Sequence, residues 1–452
     1  MLTIVTVCRD ADLGHYVRHV CRPVDAAERL RLIDLLLDAV GVAVAGRATR
    51  AASVMELALG RSDAVWDLAC RDGAAVHALD FDDTHEASLC HTGAALAPAV
   101  IRLGEAEHRS GDEVLRAFAA GLRLVDALAP LGPRLNAAGV HSTGVLGSLG
   151  AAAASAVLLG GDDKEVTAAV ELAAVMASGI CASFGTDAKP LQAGRAAETG
   201  VRAAYLVANG LVPPVGALFG TRGIVALLLG AEALELLPAP GPRPDAVTSV
   251  AVKATPSCLL THTPIDVALA VREQTSVATP AAVEHVRLVV HPLVAALADR
   301  TSIDSDNDSK FNVRYCLFAA LSEGRPTVET FTAAGRARIA GDGQNWRRFA
   351  GLVELLTDPD LPQLAADIVV IAGGKSWTAT RSGPIGGVDD PLSSADVTEK
   401  FRSNVAPLLG RAAAGGLERR VRAVAGAEDV DVLGPLFGPH RRLADHAGKD
   451  EM

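Results

Sequence analysis

Aromatic side chains are scarce in this sequence: Phe, Trp and Tyr together make up 4% of its 452 residues. A core without many rings must be filled by Ala, Leu and Val, which favours closely packed helices. Basic charge is also short. Lys and Arg number 42 against 53 Asp and Glu, a net charge of −11. That argues against a nucleic-acid partner, because phosphate binding needs a basic face. A small anionic substrate stays open wherever basic groups converge locally. The seven cysteines, Cys8, Cys21, Cys70, Cys90, Cys181, Cys258 and Cys316, form no CxxC pair. Structural zinc and iron–sulfur sites usually show closely spaced ligands, so scattered thiols fit a reducing cytoplasm instead. The opening MLTIVTVCRDADLGHY meets charge too early for a secretory signal. One uncharged run, Gly144–Gly161, barely reaches spanning length. Its Gly/Ala/Ser content points to a buried helix, and no membrane association is expected.

What is present divides at LPAPGPRP, Leu237–Pro244, where four prolines in eight residues break any helix. Before it, DAAERLRLIDLLLDAVGVAVAG places Leu30, Ile33, Leu37 and Val40 at helical spacing behind a capping Asp25. Helical patterns continue to YLVANGL, whose Asn-Gly is a helix stop. No alternating strand pattern stands out before residue 240. After the prolines, VTSVAVKATP, VEHVRLVVHP and DIVVIAGGKSWTATR read as strands, with helices around Thr263–Glu273 and Ser309–Ser322. From Ser393 the pattern is helical again, and the tail after Pro439 is polar and expected to fray. The expected class is mainly α with α+β. A large helical domain (1–245 and 394–452) carries a smaller α+β lid (246–393) inserted before a C-terminal helical return.

Polar residues gather in a few islands. HALDFDDTHEASLCH, His77–His91, holds three aspartates and three histidines. If a helix runs through its first part, His77, Asp80 and Thr84 share one face. A metal cage would use Asp80 or Asp82 with two histidines, but the spacing matches no strong ligand template. A capped polar turn is the plain alternative. His141-Ser142-Thr143 opens a long helix, whose N-terminus suits an anion, or is simply capped by one of the hydroxyls. Lys189 stands in an otherwise apolar stretch, where a buried lysine is rare without a partner. Lys253, Cys258 and His262 follow the domain boundary, and Tyr315 lies on an expected helix. Singly, these last islands are more simply explained by core packing.

Taken in order, the strings HALDFDDTH, HSTGVLGSLGAAAA, GTDAKPLQAGRAAETG, KATPSCLLTH, SKFNVRYC and DDPLSSADVTEKF resemble the MmgE/PrpD family, over residues 20–410. Its members include 2-methylcitrate dehydratase, cis-aconitate decarboxylase and an iminodisuccinate epimerase. The resemblance implies a helical domain with a lid, a homodimer, and an interdomain site with neither metal nor organic cofactor. It carries catalytic roles onto Asp80, Thr84, His91, His141, Lys189, Lys253 and Tyr315. Substrate binding falls to His91, Lys189, Lys253, Cys258 and His262. Two departures stand out. The family's usual His-Pro is His91-Thr92 here, and the Cys-Arg of many of its dehydratases is Cys258-Leu259. The decarboxylase branch has histidine at the Cys258 position.

Family substrates are di- and tricarboxylates. Removing a proton beside a carboxylate and protonating a departing hydroxyl needs a base, an acid and stabilisation of the developing charge. Lysines can neutralise carboxylates, and histidines suit proton transfer near neutral pH. The reading implied is a lyase, first a dehydratase of a 2-methylcitrate-like acid. Decarboxylation of a cis-aconitate-like acid and epimerisation of a dicarboxylate use the same residues, and a non-catalytic binding protein is the remaining alternative.

Overall fold

The computed structural model describes residues 13–59, 62–275, 279–341 and 343–430. The opening MLTIVTVCRDAD and the polar tail after Pro439 lie outside the described residues. The chain is mainly helical with a small α+β part, as its composition led one to expect.

The helix Ala26–Gly46 starts at Asp25, whose carboxylate accepts from the Ala27 and Glu28 amides while Glu28 accepts from the Asp25 amide. Leu30 was expected on the buried stripe but is 68% exposed. From Leu32 onward the helix is buried on every side, so no single stripe describes it. The Ala-rich helix Ser142–Leu158 is buried along nearly its whole length. Among the described residues, no helix is long and apolar enough to cross a membrane.

Small residues set the spacing of this helical body. The helix Ala188–Ala208 lies against both Val65–His77 and Ser142–Leu158. A Cβ added at Gly194 would lie 2.1 Å from the Cys70 carbonyl oxygen, and one at Gly200 2.3 Å from the Ala151 Cβ. Alanine and glycine, abundant where aromatics are not, permit that approach. The late helix Ser394–Leu409 packs along Ala26–Gly46, and its Val397, Phe401 and Val405 share one hydrophobic cluster with Leu32, Leu36 and Val40.

A separate cluster, including Ile265, Val286, Phe318 and Phe349, surrounds a sheet. Two two-residue strands, β1 (Thr84–His85) and β2 (Val250–Ala251), stand apart from it. The sheet itself has β3 (Val283–Val290), β4 (Val353–Thr357), β5 (Ala366–Ala372) and β6 (Lys375–Arg381), in the order β4-β3-β5-β6. β3 pairs parallel with β4 and antiparallel with β5. DIVVIAGGKSWTATR is a hairpin rather than one strand, because Gly373 and Gly374 both take positive φ and turn it. β4 was not foreseen; VELLT follows directly on the helix Gln344–Leu352.

Candidate active site

The first polar island is not a helix through to Thr84. The helix Val65–His77 ends at His77, and Asp80 adopts a left-handed φ of 54°. That conformation turns the chain back and separates Asp80 from the helical face expected for it. Thr84 and His85 then pair antiparallel with Ala251 and Val250. This short ladder brings the segment after β2 against the aspartate loop. Lys253 Nζ donates to the Asp80 carbonyl at 2.9 Å and the Ser257 carbonyl at 3.3 Å, and lies 3.4 Å from Asp80 Oδ2. On the other side, Lys400 of the return helix donates to the Phe81 carbonyl at 2.7 Å and pairs with Asp38 at 2.6 Å.

Lys189 sits in the first turn of the helix Ala188–Ala208 and donates to Asp80 Oδ1 at 2.5 Å. Both partners are buried. Burial alone would raise the Asp80 carboxyl, but the Lys189 and Lys253 ammoniums outweigh it and hold it well below the usual carboxylate range. Burial likewise opposes charge on Lys189, and Asp80 reverses that, so its ammonium is held on more firmly than usual. The cluster is therefore ionic in a dry setting, where each charge acts at greater range than in water.

Three imidazoles line the same place. The rings of His77 and His91 are 4.6 Å apart, and those of His77 and His141 are 6.0 Å apart. His77 Nδ1 donates to Asp82 Oδ2 at 2.7 Å. His91 Nδ1 donates to the Asp83 carbonyl at 2.9 Å, with Thr84 Oγ1 3.3 Å away. Gln192 fixes the third. Its Oε1 accepts from the Ile180 amide and its Nε2 donates to the Ile180 carbonyl, so the oxygen must face His141 Nδ1, at 2.9 Å. In all three, a proton on Nδ1 leaves Nε2 with a free lone pair. Burial, reinforced by neighbouring positive groups, lowers His141 to about 3 and His91 well below its ordinary value. His91 and His141 also stand at the N-termini of the helices Thr92–Ala106 and Ser142–Leu158, where the helix dipole disfavours an imidazolium and favours an anion. Neither Ser142 nor Thr143 caps that second helix. Ser142 Oγ donates to the Leu89 carbonyl and Thr143 Oγ1 accepts from the His91 amide, so both pin the aspartate loop.

Cys258 and His262 border the lysines. The Cys258 thiol is pushed up to about 11 by burial and the Asp80 charge, and is therefore a neutral neighbour of Lys189. His262 donates from Nε2 to the Ser257 carbonyl at 3.2 Å. Tyr315 is not brought to this cluster. Its hydroxyl donates to the Thr330 carbonyl at 2.9 Å, and its ring packs on Phe331 and Trp346 in the core around the sheet. Conversely, the family resemblance carried no role onto His77, Asp82, Gln192 or Lys310, and the sequence offered Asp82 only as a possible metal ligand. Gln192 had a signal, since it stands three residues after Lys189 on one helical face. His77, Asp82 and His91 offer ligand atoms within 4.8 Å of one another, the group among the described residues that could hold a metal ion. In this structure Asp82 Oδ2 is already bonded to His77 Nδ1, so the trio is also self-consistent as a hydrogen-bonded unit.

Comparison with known proteins adds to this geometry. The MmgE/PrpD N-terminal domain matches residues 61–237 and the MmgE/PrpD C-terminal domain matches residues 255–423. The chain is 30% identical over 394 residues to a cis-aconitate decarboxylase of Homo sapiens, covering 81% of this chain and 78% of the relative. It is 29% identical over 406 residues to a cis-aconitate decarboxylase of Mus musculus, covering 84% and 79%. A cis-aconitate decarboxylase-like protein of Aspergillus oryzae is 34% identical over 153 residues, 31% of either chain.

Proposed function

The chain belongs to the MmgE/PrpD family, and from that premise we propose that it is a lyase for a small di- or tricarboxylate, working by proton transfer in the pocket around Asp80. The observation that carries this reading is the buried Asp80–Lys189–Lys253 cluster set against the Nε2 lone pairs of His91 and His141. Lys189 and Lys253 neutralise a substrate carboxylate and the negative charge that grows beside it. A bound polyanion raises the basicity of His91 and His141, so one can take a proton and the other return one. Asp80 holds the two ammoniums in place, and Thr84 orients His91.

The curated relatives favour decarboxylation of a cis-aconitate-like acid. A carbon–carboxylate bond breaks, carbon dioxide leaves, and a proton fills the electron pair left on carbon. Cys258 favours dehydration of a 2-methylcitrate-like acid instead, because a thiol held neutral cannot supply what a histidine at that position would. There a base removes the proton beside a carboxylate, and hydroxide leaves with a second proton as water. Self-association fits the exposed Ile180, Val212, Val215 and Leu227, since exposed apolar patches mark interaction surfaces.

The test is to incubate the protein with cis-aconitate, 2-methylcitrate, citrate and malate, following carbon dioxide and ultraviolet absorbance together. Gas from cis-aconitate supports decarboxylation, and new absorbance from a hydroxy acid supports dehydration. Neither signal from any acid would remove the lyase reading.

A further inference from the structure

Lys310 closes the short helix Asp306–Lys310 and is 4% exposed. Its position is fixed from two sides. Its carbonyl accepts from the Cys258 amide at 3.1 Å, and the ring of the next residue, Phe311, stands 6.0 Å from Lys189 Nζ. Its ammonium feels the charges of Asp80, Asp306, Lys189 and Lys253. Yet among the described residues its Nζ makes no hydrogen bond. Asp306 is occupied by Arg336 at 2.5 Å. Asp80 is shared by Lys189 and Lys253. Lys310 is not among the fully enclosed unpaired atoms, so its ammonium keeps some accessible surface, and a largely buried cation with no protein acceptor favours an anion that can reach it.

We propose that Lys310 anchors a second carboxylate of the substrate, distinct from the one that Lys189 and Lys253 neutralise, and so sets the pocket's preference for polycarboxylates. The inference rests on the carboxylate-lyase reading and refines it. Lys189, Lys253 and Lys310 gather around Asp80, while the two further carboxylates that act on them are engaged elsewhere, Asp82 with His77 and Asp306 with Arg336, so a substrate carboxylate has an ammonium to meet at Lys310. The rings of Phe184 and Phe311 stand 5.7 and 6.0 Å from Lys189 Nζ and give this end of the pocket an apolar lining. Burial lowers Lys310 to about 8, which leaves most of it protonated at pH 7.

Calorimetry with unreactive acids tests this on the full chain. The probes are tricarballylate, glutarate and butyrate, which carry three, two and one carboxylates. Lys310→Met is expected to weaken tricarballylate on the order of 30-fold, the scale of one charge-assisted hydrogen bond, while butyrate changes less than about two-fold. Lys310→Arg, which keeps the charge, should retain most of the affinity for tricarballylate. Lys310→Gln carries the same test should the methionine variant fold poorly. Equal losses for all three acids, or none for tricarballylate, would overturn the anchor while leaving the lyase reading standing. A wild-type protein that binds none of the three would sink both.

Discussion

Asp80 and Asp83 stand three residues apart and their carboxyls are shifted in opposite directions. Two lysines keep Asp80 ionised, whereas burial, with Asp82 and Asp38 nearby, pushes Asp83 up to about 7. Asp83 Oδ1 accepts from the Gly93 amide at 2.7 Å and from Thr92 Oγ1 at 3.2 Å, while Oδ2 is buried without a partner. Because its folded pKa exceeds its unfolded one, its protonation contributes stability that is complete below about pH 4 and lost as pH rises through about 7. Asp83→Asn should therefore flatten the fall in Tm between pH 5 and pH 7.5, read by thermal denaturation; an unchanged slope would show that another group is responsible. Asp80→Asn removes the charge that Lys189 and Lys253 share, and turnover should drop by about 10²–10⁴-fold, the range for a positioned proton-transfer or charge partner. Since the substitution also takes the counter-charge from two buried ammoniums, at a cost of about 3–5 kcal/mol, turnover is compared below the melting temperature of the variant, with circular dichroism read alongside. Residue types were readable in the sequence: Asp80, His91, His141, Lys189 and Lys253 meet in the structure. What could not be read was which residue in HALDFDDTH faces which partner, because the positive φ at Asp80 has no signal in a non-glycine residue. For the same reason the sequence offers Asp82 only as a possible metal ligand, whereas the structure shows it bonded to His77.

At the scale of elements, the pocket depends on how closely three helices approach. Gly73 and Gly194 face each other where Val65–His77 meets Ala188–Ala208, the two helices that lead to Asp80 and carry Lys189. Gly194→Ala must separate them, since its new Cβ would strike backbone at the Cys70 carbonyl. The expected cost is about 1–3 kcal/mol in stability, with turnover falling further than the melting temperature alone explains. Gly210→Ala is a control for backbone strain, because it has positive φ but open space around it; it should lower stability without a selective loss of activity. Long helices were legible from their periodicity and caps, as at Asp25 and Asn209-Gly210. β1 and β2 were not, since two residues are too few to show alternation, yet their pairing is what carries Lys253 to Asp80.

Across the whole molecule, the site draws on segments far apart in the chain: residues 77–91, 141, 189–192, 253–262 and 310. The proline-rich break was visible in the sequence, and Val247, Val250 and Val252 beyond it still belong to the helical hydrophobic cluster. Composition cannot show such an overlap, because valine fits either core. Since His77, Asp82 and His91 could hold a cation, metal dependence is a direct question for the intact protein. The proton-transfer account expects activity to survive exhaustive chelation with metal content below one-tenth per chain; loss on chelation and recovery with one divalent ion would reassign the trio. The most direct measurement is proton NMR of cis-aconitate and 2-methylcitrate incubated with the wild-type protein and with Asp80→Asn. The account predicts that the wild type converts at least one of these acids to a product lacking carbon dioxide or water, and that Asp80→Asn, equally folded, is at least about 100-fold slower. Unchanged spectra with the wild type, or equal rates for both proteins, would contradict it.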